Sequence, residues 1–153
     1  MEKFYGFEPV FDSNSRTLIL GSFPSVKSRE TEFYYGNKQN RFWRTLCEAF
    51  GEQAVVTVEA QKSLCLKHGI ALWDIVANCE IKGSLDADIT NYELVDLTRV
   101  LNGCSIEKIL CNGVTSYRLT KSVYDGNIPI YKLPSTSSAN VRFDKSEWLK
   151  LLR

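Results

Sequence analysis

Short apolar runs that end at glycine or polar residues recur along the chain and predict buried strands. They occupy residues 17–20, 70–73, 108–111 and 128–133. Continuous apolar runs of this length, bounded by turn-forming residues, are typical of strands that are buried on both faces of a sheet. The pattern therefore predicts four strands within one sheet.

Helical periodicity is clearest between residues 41 and 50. Apolar side chains recur there every three or four positions, which places them on one face of a helix. This face consists of Phe42, Trp43, Leu46, Cys47 and Phe50. The segment therefore predicts an amphipathic helix.

A second helix is predicted to begin at Asn91, because asparagine is a favoured N-cap. Apolar residues follow at helical spacing, and they are Leu94, Leu97 and Leu101. This segment is predicted to be helical on the strength of that spacing.

The last helix is predicted from residues 144–147, which read Asp-Lys-Ser-Glu. This order resembles a capping box in which Asp stands in place of Ser or Thr. Its apolar residues are Trp148, Leu151 and Leu152.

Strands and helices alternate along the chain, and this order predicts an α/β fold with a mainly parallel sheet covered by helices on both faces. The length of 153 residues fits a single domain spanning residues 1–153. In such folds, functional groups gather in loops beyond the carboxyl ends of the strands. The polar segments that follow the predicted strands are therefore the candidate functional regions.

Composition narrows the class of protein. The hydrophobic share is 44%, the charged share is 24% and the formal net charge is +1. No apolar run approaches the roughly 20 residues that span a bilayer, so no membrane contact is expected. The N-terminal segment has no uninterrupted apolar core, which favours a cytoplasmic protein over a secreted one. Because bulk charge is near zero, any contact with nucleic acid has to be local.

The cysteines do not predict a metal site or a disulfide framework. They are Cys47, Cys65, Cys79, Cys104 and Cys111, an odd number at wide and irregular spacing. Metal sites need clustered ligands, and the single histidine, His68, has only Cys65 near it in sequence. We expect reduced and mostly buried thiols, and neither a metal nor a cofactor.

The segment from residue 21 to residue 43 is a long polar and aromatic stretch after the first predicted strand. It exceeds the usual connection length and therefore favours a functional role. Its glycines allow close backbone approach, Tyr34 and Tyr35 offer flat faces, and Asn37 and Asn40 supply neutral donors and acceptors. These are the properties of a pocket for a base. The alternative is that the aromatic residues belong to the core and that Asn40 caps the next helix.

Two shorter loops are also candidates for contacts with phosphate. Residues 133–140 are uncharged and rich in hydroxyl groups, which can hold a DNA backbone without reading its sequence. Asn112 and Gly113 precede a segment whose amides could form a phosphate-binding helix N-terminus. For both loops, an ordinary polar turn is the alternative.

Several motifs in this order resemble the uracil-DNA glycosylase superfamily, and most closely its hypoxanthine-DNA (deoxyinosine) glycosylase branch. They are Leu18-Ile-Leu-Gly-Ser-Phe-Pro-Ser25, Tyr34-Tyr-Gly with Asn40-Arg-Phe-Trp43, Ala71-Leu-Trp-Asp74 with Gly83-Ser-Leu-Asp86, and Leu133-Pro-Ser-Thr-Ser137 with Ala139-Asn140. The resemblance covers nearly the whole chain. It implies a three-layer αβα sandwich with a four-stranded, mainly parallel sheet, and a monofunctional glycosylase that leaves an abasic site.

Departures from the motifs of other branches bear on the catalytic group. The uracil-specific enzymes carry a catalytic Asp, and the mismatch-specific ones a catalytic Asn, where this chain has Phe23. Leu133 stands where the uracil-specific enzymes have His. The resemblance to the hypoxanthine branch assigns catalysis to Asn40 instead. Lys38-Gln39 and Ser138 depart from a Pro-Arg pair and a Pro in that branch.

The resemblance and the residue chemistry together imply a set of site roles. Asn40 would orient water and base through hydrogen bonds, since an amide does not titrate in the useful range. Asp74 would activate water, unless it only caps a helix or forms a turn. The residues expected to contact the base are Gly21, Ser22, Phe23 and Tyr35. The residues expected to contact the DNA are Pro134, Ser135, Thr136, Ser137 and Ser138. A phosphate would contact Asn112 and Gly113.

The expected partner is DNA containing deaminated bases, and the expected state is a monomer. Two alternatives stay open. One is a uracil or mixed-specificity glycosylase of the same superfamily, because pocket preference can depend on one or two hydrogen bonds. The other is a non-catalytic DNA- or nucleotide-binding module, because a fold does not imply a function.

Overall fold

A computed structural model describes residues 2–153 as an α/β fold. Its strands are β1 (Lys3–Tyr5), β2 (Thr17–Gly21), β3 (Ile70–Asp74), β4 (Val76–Glu80), β5 (Thr90–Leu94), β6 (Lys108–Asn112) and β7 (Ile130–Leu133). Its α-helices are α1 (Val26–Thr31), α2 (Phe42–Phe50), α3 (Val58–Lys67), α4 (Thr98–Leu101), α5 (Val114–Val123) and α6 (Ser146–Leu152).

The central sheet has four parallel strands in the order β3-β2-β6-β7. These are the four strands that the apolar runs predict, although the last begins at Ile130 rather than Ile128. Strands β2 and β3 are buried at every position, which explains why their sequences are continuously apolar. The parallel order brings the carboxyl ends of all four strands to one edge.

Alternate residues of the sheet serve two separate cores. Ile19, Leu72 and Leu110 pack on one face with side chains from α2, α3 and α6. Leu18 and Leu20 point to the opposite face and pack with side chains from α4 and α5. The predicted three-layer αβα arrangement is therefore confirmed.

A second sheet covers part of one face and was not predicted from the sequence. Strands β1, β4 and β5 form it, in the antiparallel order β1-β4-β5. Strand β4 begins only two residues after β3 ends, and Val76 and Cys79 join the second core. The register of β4 with β5 shifts twice, so neither strand has a clean alternation that would reveal it in the sequence.

The predicted helix starting at Asn91 is wrong. Residues Thr90–Leu94 form strand β5, and Asn91 adopts a positive φ of 47°. Pairing with β4 determines this conformation and overrides the helical spacing of the leucines. Within this segment only Thr98–Leu101 is helical, and the Asp96 carboxylate, one residue before the N-cap Leu97, accepts from the Thr98 amide at 3.0 Å.

The other predicted helices are present. Helix α2 runs from Phe42 to Phe50 and ends at Gly51, whose positive φ of 64° forms the C-cap. Helix α6 is present, but the predicted capping box is not: the N-cap is Lys145, and the Asp144 carboxylate accepts from the Ser146 amide at 2.9 Å instead of from Glu147. The long segment after β2 is not wholly irregular, because α1 forms within it behind the N-cap Ser25.

All five cysteines are free thiols, and four of them are buried, as predicted. Within residues 2–153, no group of three or more His, Cys, Asp and Glu side chains is arranged to hold a metal ion. No helix in this described part of the chain combines the length and apolar character needed to cross a membrane.

Leu110→Ala should lower the free energy of unfolding by about 2–5 kcal/mol. Leu110 is fully buried on central strand β6, and truncation removes apolar contacts and leaves a cavity. Urea denaturation followed by circular dichroism measures the loss. Val141→Ala is the control, since Val141 is 88% exposed and should change stability by less than about 0.5 kcal/mol. Equal stability of both variants would contradict the two-core description.

Candidate active site

A cleft of about 460 Å³ lies at the carboxyl edge of the central sheet. The loops after β2 and β7 and the last residues of β3 and β6 contribute to it, and this is the edge where parallel α/β sheets bind ligands. The predicted site residues that line it are Gly21, Ser22, Phe23, Tyr35, Asn40, Asp74, Asn112, Ser135, Thr136, Ser137 and Ser138. The fold therefore brings together residues that are up to about one hundred positions apart in the sequence.

The side chains of Asp74 and Tyr35 approach the backbone of Gly21 closely. A Cβ added to Gly21 would lie 2.3 Å from Asp74 Oδ1 and 3.0 Å from the Tyr35 hydroxyl oxygen. Only glycine permits this approach, because any larger residue would displace the carboxyl group. Asp74 is paired with Gly21 in the parallel register of β2 and β3, so the sheet itself holds the two residues side by side.

Tyr35 is held by aromatic packing. Its ring stacks on Phe42 with the centroids 4.0 Å apart, and its backbone has a positive φ of 54°. Such a conformation is strained for a non-glycine residue and is found at functional sites. Phe33 and Tyr34 are buried in the first core, so the core interpretation holds for these two aromatic residues, and both Tyr34 and Tyr35 also line the cleft.

Asp74 has an unusual electrostatic environment. The residue is only 5% exposed, and among residues 2–153 its buried Oδ2 atom has no hydrogen-bond partner. Burial raises the pKa of Asp74 to about 7, and the negative charge of Asp86 adds to this effect. The Tyr35 hydroxyl oxygen is likewise buried and unpaired, and burial followed by the proximity of Asp74 raises the pKa of Tyr35.

Two backbone amides are available beside this pair. Within residues 2–153, the N–H groups of Ser22 and Phe23 donate no hydrogen bond to another protein atom. The Ser22 hydroxyl donates to Asp86 Oδ1 at 2.5 Å, and the Phe23 ring packs against the second core. The Phe23 side chain is thus structural, while its amide can serve a ligand.

Asn40 lies two residues before the first residue of α2, and it lines the cleft. Its Oδ1 atom accepts a hydrogen bond from the Phe42 amide at 2.9 Å, so Asn40 satisfies the first amide of α2 from the position before the N-cap Arg41. The amide nitrogen of the same side chain has no partner in the described part of the chain. Asn40 therefore combines a cap with an unused donor at the cleft.

The loop after β7 is held from inside the protein. The Asn112 side chain donates to Thr136 Oγ1 and accepts from the Thr136 amide, both at 3.0 Å. Thr136 has no exposed surface, so its side chain holds the loop in shape. The predicted contact between its hydroxyl group and DNA is therefore not available. Ser138 is exposed, and Ser135 and Ser137 are half-buried.

Arg41 fastens the same loop to α2. Its guanidinium donates to the carbonyl oxygens of Ser137 at 2.6 Å and Asn140 at 2.7 Å. The guanidinium also lies 4.7 Å from the centre of the Phe143 ring. The sequence motif contains Arg41, but its role depends on contacts across nearly one hundred residues and was not predicted.

Two predicted site residues do not line the cleft. The Pro134 carbonyl accepts from the Trp148 indole at 2.8 Å, which anchors the start of the loop in the core. The Gly113 amide donates to the Leu133 carbonyl at 2.9 Å, so it is not free to bind a phosphate. Gly113 is the N-cap of α5, which begins at Val114, and it has a φ of 97°.

One wall of the cleft comes from the loop between β4 and β5, to which the sequence assigned no role. Ser84, Leu85 and Asp86 line it, and Leu85 is 58% exposed. The Arg29 guanidinium donates to the carbonyl oxygens of Pro24 and Gly83, which ties this loop to α1. The role of this loop follows from the antiparallel sheet, which the sequence pattern did not reveal.

Known proteins resemble this chain in sequence and in fold. A protein of Methanosarcina acetivorans named hypoxanthine DNA glycosylase is 35% identical to this chain, and the alignment covers 97% of both chains. One in Methanosarcina barkeri with the same name is 30% identical over 92% of this chain and 90% of its own. The solution NMR structure of a candidate uracil DNA glycosylase from Methanosarcina acetivorans superposes with a TM-score of 0.85 and 32% identity, covering 99% of this chain and 98% of that one.

The family comparison covers almost the whole chain and includes every residue of the cleft. The model of the uracil DNA glycosylase superfamily matches residues 8–153. Both cores, the parallel sheet and the loops at its carboxyl edge fall within this range. The chain therefore belongs to the uracil DNA glycosylase superfamily.

Proposed function

We propose that this protein is a monofunctional DNA glycosylase that hydrolyses the N-glycosidic bond of deaminated bases, chiefly hypoxanthine in deoxyinosine, and leaves an abasic site. The observation that carries the proposal is the convergence of Asn40, Tyr35 and the free amides of Ser22 and Phe23 on one cleft. The names of the two Methanosarcina relatives support hypoxanthine as the base.

The cleft suits a base that has been rotated out of the duplex. Its volume of about 460 Å³ lies within the usual range for small-molecule sites. Extruding a base costs a few kcal/mol, and less when the base mispairs, as deaminated bases do. The Tyr35 ring, supported from behind by Phe42, would stack on the extruded base and offset part of this cost by about 1–3 kcal/mol.

Leaving-group stabilisation would supply most of the rate enhancement. As the bond to the sugar breaks, negative charge develops on the departing base. The amides of Ser22 and Phe23 are fixed donors that would bind a base carbonyl, and such donors are most effective in a site that excludes water. Hypoxanthine has a carbonyl where adenine has an amine, so these donors would favour hypoxanthine.

Asn40 would bind the base or the attacking water through its free amide nitrogen. Its Oδ1 atom is already bound to the Phe42 amide, and this bond fixes the orientation of the side chain. The sugar would pass through an oxocarbenium-like state before water adds, as in other glycoside cleavages.

The loop after β7 would hold the DNA backbone beside the cleft. Ser135, Ser137 and Ser138 are the residues of this loop whose hydroxyl groups belong to accessible side chains, and Arg41 keeps the loop backbone in place. Contacts of this kind position the DNA without reading its sequence. The net charge of +1 is consistent with a small number of phosphate contacts. We further propose that the protein acts as a monomer in the cytoplasm.

Hypoxanthine should be excised faster than uracil when labelled duplexes containing deoxyinosine, deoxyuridine or, as a second deaminated purine, deoxyxanthosine are treated with the protein. The fixed donors and the stacking surface suit a purine with a carbonyl group. Alkaline cleavage of the abasic product, resolved on a gel, measures each rate. Dominant release of uracil would reassign the substrate, and inactivity on all three duplexes would favour a non-catalytic binding module.

Asn40→Asp should lower the excision rate by about 100-fold or more while leaving stability nearly unchanged. The variant keeps the Oδ1 acceptor that caps α2 but lacks the amide donor. Asn40→Ala should lose both activity and about 1 kcal/mol of stability, since it also removes the cap. Single-turnover kinetics and urea denaturation separate the two roles.

The control for Asn40→Asp is Asn102→Asp, which makes the same chemical change at an exposed position outside the cleft. It should retain full activity. An Asn40→Asp variant with wild-type activity would limit Asn40 to capping.

Arg41→Ala should weaken binding to a duplex with an abasic site by about tenfold, because the loop after β7 loses the donor that holds two of its carbonyl groups. Arg41→Lys should recover little of the lost DNA affinity, since an ammonium group lacks the planar guanidinium that reaches both carbonyl groups. Fluorescence anisotropy measures the dissociation constants. Arg44→Ala removes the same charge from the exposed surface of α2 and serves as the matched control. If both alanine variants bind equally, charge rather than loop geometry is responsible.

A further inference from the structure

The carboxyl group of Asp74 lies in the cleft without any partner that would stabilise a negative charge. No protein donor within residues 2–153 forms a hydrogen bond with either of its oxygens, and no basic side chain forms an ion pair with it. Oδ2 is buried and unpaired, while Oδ1 lies against the backbone of Gly21. An ionised carboxylate in such a place would be strongly destabilised, because burial without hydrogen bonds penalises charge.

The groups around Asp74 reinforce this effect. The segment before α2 contributes two phenols, Tyr34 and Tyr35, and burial raises the pKa of both, so they stay neutral. The loop between β4 and β5 contributes Asp86, whose negative charge opposes a second one nearby. Strand β6 contributes the neutral amide of Asn112. The carboxyl group therefore remains protonated up to about pH 7, where its pKa lies.

We propose that Asp74 acts in its protonated form, as the acid that donates a hydrogen bond and then its proton to the base as the base leaves the sugar. This inference rests on the proposed glycosylase function and gives Asp74 a role opposite to water activation. Water activation would require the ionised carboxylate, which the surroundings of Asp74 disfavour. A neutral acid would stabilise the negative charge that develops on the departing base, whereas a carboxylate would repel it.

The proposed step balances in atoms and charge. The bond between the sugar C1′ and the base nitrogen breaks, and both electrons pass to the base. The proton of Asp74 moves to an acceptor atom of the base, which leaves as the neutral molecule. Water adds to C1′ and loses one proton to solvent, and Asp74 regains a proton from solvent after the product departs. The net reaction is hydrolysis, and no oxidant, reductant or metal is needed.

The two roles of Asp74 predict opposite dependence of the rate on pH. If the acid form is required, the rate is constant at low pH and falls above about pH 7, with a slope that approaches a tenfold decrease per pH unit. If the carboxylate is required, the rate rises over the same interval. Single-turnover rates with saturating protein on a deoxyinosine duplex, measured between about pH 5.5 and pH 8, distinguish these profiles.

Two variants test whether Asp74 is the group responsible. Asp74→Asn keeps a hydrogen-bond donor but has no transferable proton, so its rate should be about tenfold below the wild-type rate at pH 6 and should not change with pH. Asp74→Ala should be slower still at every pH. Asp88→Asn is the matched control, because Asp88 is an exposed acid in the neighbouring loop and does not line the cleft. This control should keep the wild-type rate and profile.

A second measurement reports the protonation state of Asp74 without relying on activity. In the unfolded chain Asp74 ionises near pH 4, whereas in the folded protein it holds its proton to about pH 7. Between these values the folded state binds one proton more, so the contribution of Asp74 to stability is full below pH 4 and is lost as the pH rises to 7. Urea denaturation of Asp74→Asn should lack this decline, and the carboxyl ¹³C resonance of Asp74 should titrate near pH 7.

The outcomes separate this inference from the proposed function. A wild-type rate that falls above pH 7, together with a flat profile in Asp74→Asn, supports the acid role. A rate that rises with pH, an Asp74→Ala variant as active as wild type, or a carboxyl resonance that titrates near pH 4 overturns it. If the wild-type protein excises none of the tested bases, the glycosylase proposal itself fails, whatever the resonance shows.

Discussion

Burial of the central parallel sheet on both faces is the constraint on which the rest of the structure depends. Strand β2 lies between β3 and β6 and is buried at every position, so its residues contribute packing and backbone pairing rather than chemistry. Because the strands are parallel, their carboxyl ends meet at one edge. Polar groups that the interior excludes are concentrated at that edge, where the cleft forms.

The loops of the cleft are held by side-chain contacts with backbone groups more than by regular secondary structure. Arg41 binds two carbonyls of the loop after β7, and Asn112 binds both the amide and the hydroxyl of Thr136. Arg29 links α1 to the wall between β4 and β5. Satisfied polar contacts of this kind give a loop one preferred conformation, which a site that relies on fixed donors needs.

The cleft differs from many glycosidase sites in its electrostatics, because it does not depend on a pair of ionised carboxylates. Its fixed donors are neutral: two backbone amides and the amide nitrogen of Asn40. The buried acid, Asp74, shares the cleft with Asp86, and no cationic side chain in the described part of the chain forms an ion pair with it. A neutral site of this kind favours the developing charge of a leaving group over a charge present before the reaction. The near-neutral charge of the whole chain fits the same preference for local recognition over bulk attraction.

The sequence by itself determined the four buried strands, the amphipathic helix α2, the presence of helix α6 and the loops that carry the site. These features follow from local periodicity and capping chemistry, which depend on residues close together in the chain. Only the tertiary structure decided that residues 90–94 form a strand, that Thr136 is buried and that Arg41 clamps a distant loop. It also raised the pKa of Asp74, by burying the carboxyl group. Strand pairing, burial and pKa are properties of neighbours that the chain brings together only when it folds.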